Sequence, residues 1–189
     1  MFSPNRVFFS ATFLFFFFLT GQAQHKSLNA LPVGFYLHPK KSIAQTTSDA
    51  EEYTILSSFV KAADLEEILD QQGPFTIFAP SDNAFSKLPE NTVNHLIETG
   101  NKKSIKAILT YHIVAGKLTA SKILRALCQG EGYATFTTVH GTKIKASISG
   151  TDIVLIDAFG NSAKITAADS NQSNGVLHEI DRVVLPIKI

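Results

Sequence analysis

The hydrophobic period of this chain changes once, near Gly132, and that change constrains the fold more than any other feature. Before it, Ile55, Leu56, Phe59, Val60 and Ala63 recur at helical spacing, and Leu65, Ile68 and Leu69 repeat the pattern. After it, Ile144, Ala146 and Ile148 alternate with Lys143, Lys145 and Ser147, which predicts a strand with one wet face. Helices first and strands second describe an α+β domain. No internal repeat divides it.

Residues 75–78 form a short run of β-favouring side chains, read as a buried strand that ends at Ala79-Pro80. Gly73-Pro74 stops the helix before it, because proline cannot continue one. Ser81 and Asp82 offer N-cap oxygens to a short helix carrying Ala84, Phe85 and Leu88. Pro89 suits the start of another, with Val93, Leu96 and Ile97 on its inner face and Gly100 as its stop. A further helix holds Ile105, Ile108 and Leu109 and runs into a strand at 111–114, and Ser121 is placed to cap a helix reaching Leu127. Residues 153–156 are continuously apolar and are expected to be buried on both faces. The last and longest strand is expected at 176–187, after a turn at Asn174-Gly175 in which glycine is free to take positive φ.

The first residues are unlike the rest. Eight of the 15 Phe lie between Phe2 and Phe18, Arg6 precedes an apolar run of 13 residues at 7–19, and Gly21-Gln22-Ala23 follows. Charged, apolar and small-residue stretches in that order mark a secretory signal peptide, with cleavage expected after Ala23. The run is short for a bilayer-spanning helix, so no stable membrane anchor is expected after cleavage. An uncleaved anchor is the other reading. Residues 24–37 carry turn signals at Pro32 and Gly34 and no sustained period, which suits a linker or arm, although Val33, Phe35, Tyr36 and Leu37 could dock on the domain. Residues 38–188 then make one domain, secreted, periplasmic or at the cell surface.

Without Arg6 the chain has 16 basic and 16 acidic residues, a formal charge of zero. Capture of nucleic acid by charge is not expected. Lys40-Lys41 and Lys102-Lys103 read as isolated, solvated doublets. The single cysteine, Cys128, excludes an internal disulfide and reads as a small buried residue near a helix end. A monomer is expected.

No nucleophile elbow, zinc-protease helix, phosphate loop, dinucleotide fingerprint or C-x-x-C pair occurs, so no catalytic residue, metal or cofactor is expected. His112 and His178 fall in expected strands. With a carboxylate they could make a metal site, but a strand histidine among apolar neighbours more often bridges backbone groups through both ring nitrogens. Asp181-Arg182 reads as an ion pair or a cap on a sheet edge. Asn171-Gln172-Ser173 fits an N-glycosylation sequon, meaningful only in a eukaryote.

Three segments carry a family resemblance: F-T-I-F-A-P-S-D-N-A-F at 75–85, Y-H-I-V at 111–114, and N-G-V-L-H-E-I-D-R-V-V-L-P at 174–186. In this order and spacing they resemble fasciclin domains. Leu88-Pro89, His140-Gly141 and Ala168-Asp169 add to the likeness, which runs from about His38 to Pro186. The resemblance implies a helical N-terminal half packed on a twisted β-wedge. It makes Phe75, Thr76, Phe78, Pro80, Asp82, Phe85, Asn174, Gly175, His178 and Asp181 structural motif positions. It also implies a role in adhesion for the surroundings of Tyr111 and His112, and for the stretch beginning at Asp169, linked to integrin contact in animal members. Here the sequence departs from its relatives. Ser170, Asn171, Gln172 and Ser173 follow Asp169 where a large aliphatic residue is usual, and such a polar loop suits hydrogen bonding to a glycan.

Two classes of function follow. The first is a non-catalytic adhesion module that binds matrix protein or polysaccharide through exposed loops. The second is a small-ligand carrier, or an enzyme whose site the sequence hides. An apolar cavity with converging polar groups favours the second, and filled cores with flat loop surfaces favour the first.

Overall fold

The computed structural model describes residues 40–71, 73–89 and 101–186. The leader, the arm at 24–37 and the helix expected around Val93, Leu96 and Ile97 lie outside the described residues. The chain forms α1 (Ile43–Asp49), a short 3-10 turn (Glu51–Tyr53), α2 (Thr54–Ala62), α3 (Glu66–Asp70), β1 (Phe75–Pro80) and α4 (Asp82–Phe85). It continues with α5 (Lys102–Tyr111), β2 (Ile113–Ala115) and α6 (Ala120–Gln129). Then come β3 (Tyr133–Thr137), β4 (Lys143–Ser149), β5 (Asp152–Ile156), β6 (Ser162–Gln172) and β7 (Gly175–Ile180). The change of period falls between α6 and β3.

One seven-stranded sheet runs in the order β2-β1-β7-β6-β5-β4-β3. β1 pairs in parallel with β7, and the other ladders are antiparallel. The two outer strands approach each other: Val114 bridges Thr138, and the Val139 amide donates to the Ile113 carbonyl at 2.7 Å. That contact covers much of the edge that β2 and β3 would otherwise expose.

Strand alternation divides the interior in two. On β1, Ile77 and Ala79 face one core with Leu56, Phe59, Leu65 and Ile105 from the helices. Phe78, one residue over, faces the other core with Ile144, Ala146, Leu155 and Ala163, which Ile123 and Leu127 of α6 cover. Because successive side chains point to opposite faces, a short central strand serves both cores and reads as apolar sequence apart from Thr76. Phe85 closes the helical side edge-on against Phe59, with ring centroids 5.3 Å apart.

Several expectations are corrected. Tyr111 ends α5 and His112 caps it, so the strand begins only at Ile113. The last strand stops at Ile180, and β6, not β7, is the longest. Of residues 153–156 only Leu155 is fully buried: Ile153 on the same face packs partly against the core, and Val154 and Ile156 point to the other face. Thr119, not Ser121, caps α6. Cys128 is exposed: it follows buried Leu127 on α6 and therefore points off the packed face.

Gly175 owes its identity to closeness and not to positive φ. A Cβ there would stand 2.1 Å from the Phe75 carbonyl oxygen across the parallel ladder. Both atoms are backbone, so neither can swing away. Gly175→Ala is expected to lower stability by about 2 kcal/mol through overpacking, read as a lower urea midpoint at unchanged slope.

Candidate functional site

Of the residues expected to form a polar loop after Asp169, Ser170, Asn171 and Gln172 lie instead at the end of β6, and Ser173 opens the turn that follows. Two register shifts, between Ile165/Ala167 and Ala167/Ser170, put extra residues into this strand opposite β7. Asp169 sits in the second bulge with φ 63°, a left-handed conformation that aspartate tolerates better than most residues. The bulge aims Asp169 inward. Its amide donates to His178 Nδ1 at 3.2 Å, and its carboxylate accepts from the Ala120 amide at 2.9 Å, at the start of α6.

His178 is fully buried, stacked on Phe78, and its Nε2 donates to the Leu118 carbonyl at 2.7 Å. Thr76 fixes the same loop: its hydroxyl accepts from the Leu118 amide at 2.8 Å and donates to the Gly116 carbonyl at 2.6 Å. Thr76, Leu118, His178, Asp169 and Ala120 thus make one chain of contacts that ties β1, β7 and β6 to α6. Burial pushes the His178 imidazole below its usual pKa, against the opposing pull of the Leu118 carbonyl and the Asp169 charge.

His112 uses the other tautomer. Nδ1–H donates to the Ile108 carbonyl at 2.8 Å, and Nε2 accepts from the Val184 amide at 3.3 Å. Burial pushes its pKa down to about 4. Tyr111 is equally buried, and its hydroxyl donates to the Lys143 carbonyl at 3.2 Å. Neither side chain reaches the surface, so any part Tyr111 and His112 take in binding acts through the elements they hold together. All four imidazole nitrogens of His112 and His178 face backbone partners, which leaves none for a metal.

The surface part of the site is the tail of β6. Ser170 and Asn171 are exposed, and Asn171 Nδ2 donates back to the Asp169 carbonyl at 2.9 Å. Gln172 is half-buried and accepts from the Thr46 hydroxyl at 2.7 Å. Beside it opens a polar cleft of about 490 Å³, edged by Asp70, Gln71, Lys117, Gln172 and Ser173. Nothing local in the sequence connects Asp70, Gln71 and Lys117 to this tail. Only the β1–β7 pairing brings them beside it.

The remaining motif positions are framework. Asn174, expected as a turn residue, is buried. Its Oδ1 accepts from the Ile43 amide at 2.9 Å, and its Nδ2 donates to the carbonyls of Leu69 and Gln71 at 2.5 and 3.0 Å. Asp82 does not cap its own helix. Its carboxylate crosses to the start of α2, accepting from the amides of Thr54 and Ile55 and from the Thr54 hydroxyl. Asp181 lies just past β7, accepts from the Lys164 amide at 2.7 Å and pairs with Lys87 instead of Arg182. Pro80 ends β1 in the interior, and Phe75 begins it half-buried.

Among the described residues no cluster of three or more His, Cys, Asp or Glu could hold a metal ion, and no helix is long and apolar enough to cross a membrane. The Fasciclin domain profile matches residues 51–186. Protein sll1483 of Synechocystis sp. is 38% identical over 146 residues, covering 77% of this chain and 73% of that protein. Human periostin is 34% identical over 135 residues, covering 69% of this chain but 14% of periostin. A solved FAS1 domain pair from the insect cell adhesion molecule Fasciclin I superposes with a TM-score of 0.66 at 18% identity, covering 79% of this chain and 52% of that one. The resemblance carried by the three sequence segments and the arrangement of helices on a curled sheet therefore have one explanation: this chain belongs to the fasciclin domain family.

Proposed function

We propose that the protein is a non-catalytic adhesion module, exported by its N-terminal leader, that binds a matrix protein or polysaccharide outside the cytoplasm. The observation that carries this reading is a division of labour around Asp169. The groups able to do chemistry, His112, His178 and Asp169, are committed to backbone partners. Ser170, Asn171 and Ser173 stand exposed beside a polar cleft. Hydroxyls and amides held on a strand present donors and acceptors at fixed spacing, which suits sugar hydroxyls or a peptide backbone. The insect protein of similar fold is named a cell adhesion molecule, which supports the same reading.

The test is an array of matrix proteins and polysaccharides probed with the mature domain and with a Ser170→Ala/Asn171→Ala variant. Both residues are exposed, so the variant's stability stays within about 0.5 kcal/mol of the parent. Saturable binding by the parent and a loss of about tenfold or more in the variant is the expected result. Full binding by the variant would move the contact away from β6.

A further inference from the structure

A groove of different character from the polar cleft, about 440 Å³ in volume, lies between α3 and α5. Ile68, Phe75 and Val139, the last 46% exposed, are its accessible apolar lining, and the buried Leu65, Leu69 and Ile113 back it. α5 contributes a stripe at helical spacing: Lys103, Lys106, Ala107 and Thr110. Ala107 adds little bulk to the groove, and both lysines are exposed in its lining. Among the described residues no carboxylate lines the groove, and neither Lys103 nor Lys106 joins an ion pair. Lys102, next in sequence, does pair, with Asp64.

We propose that this groove binds a monomeric long-chain carboxylate, its acyl tail on Ile68, Phe75 and Val139 and its head group between Lys103 and Lys106. The volume lies within the range of roughly 300–1,000 Å³ found for small-molecule sites. Burying an acyl tail removes apolar surface from water on both partners. A peptide fits less well, because the polar groups at the groove are already engaged. The Thr110 hydroxyl donates to the carbonyls of Lys106 and Ala107, and His140 Nδ1 contacts the Thr142 hydroxyl at 3.0 Å. What remains for recognition is an apolar surface beside two ammonium groups and the Nε2 edge of His140. That pairing selects one negative charge at the end of an apolar tail. This site shares no residue with the β6 tail, so it stands or falls separately from the adhesion reading.

The experiment titrates the domain with cis-parinaric acid, whose fluorescence rises in apolar surroundings, and in parallel with its methyl ester. Saturable one-to-one binding of the acid, with the ester at least tenfold weaker, is expected. Lys103→Glu/Lys106→Glu should weaken the acid about tenfold or more and leave the ester unchanged. Ala107→Trp should fill the groove and abolish both, at unaltered circular dichroism and melting. Val139→Asp, a surface change that cannot unfold the core, should weaken the acid even if Ala107→Trp fails to fold. No saturable signal, equal affinity for acid and ester, insensitivity to Val139→Asp, or a signal that appears only with lipid vesicles would each overturn the proposal.

Discussion

Replacing Asn174 with alanine is expected to lower the free energy of unfolding by about 4 kcal/mol. The side chain is buried and holds three backbone groups: the Ile43 amide and the carbonyls of Leu69 and Gln71. Truncation leaves all three without a partner, and buried groups left unpaired cost about 1–3 kcal/mol each, with Gln71 at the low end because it is nearer solvent. Asn174→Asp separates acceptor from donor. It keeps an acceptor for Ile43 but sets a carboxylate against two carbonyls, so it should be the worse substitution at neutral pH. Urea unfolding of both variants checks the claim. A midpoint like the parent's for either would make Asn174 the solvated turn that its sequence suggests.

Acid should also destabilise the fold, through His112. Its pKa in the folded state is about 4, against 6.5 for an ordinary imidazole, because burial disfavours the charged form. Between those values the unfolded chain binds more protons than the folded one, so stability falls as pH falls. The contribution is fully present above pH 6.5 and is gone once pH has dropped through about 4. For the whole interval it amounts to about 3 kcal/mol. His178, lowered for the same reason, adds in the same direction. Carboxylates titrate near the lower end of this window, so the useful comparison is with His112→Gln. That variant starts less stable, but its stability should fall less between pH 7 and pH 4.5. Parallel profiles would contradict the burial argument.

Much of this was legible in the sequence, and the reasons are local. The change of period separates the helical half from the sheet, and β1 and β4 announce themselves as a continuous apolar run and an alternating one. The misreadings share a cause. Tyr111 and His112 look like strand because β-branched Ile113 and Val114 follow them, yet the packing of Ile105, Ile108 and Leu109 carries the helix to Tyr111. β6 reads as loop because Ala167, Ala168, Ser170 and Asn171 have little β propensity. Its pairing with β5 and β7 imposes the strand regardless. Asn174-Gly175 has the composition of a hairpin turn, while its work is done with partners more than 100 residues away in sequence. Such partners leave no local signal. Lys103 and Lys106 were legible in principle, since their spacing with Ala107 and Thr110 marks a helix stripe without large apolar side chains.

His112 and His178 are neutral structural links that hold opposite tautomers. Long-range proton–nitrogen NMR correlation on the imidazole rings, followed from pH 8 to pH 4.5, measures this directly. His112 should carry its proton on Nδ1 and His178 on Nε2. Neither ring should titrate near 6.5, the ordinary imidazole value. A ring that titrates there, or that exchanges between tautomers, would be available for proton transfer or ligand binding and would contradict the structural role given to it.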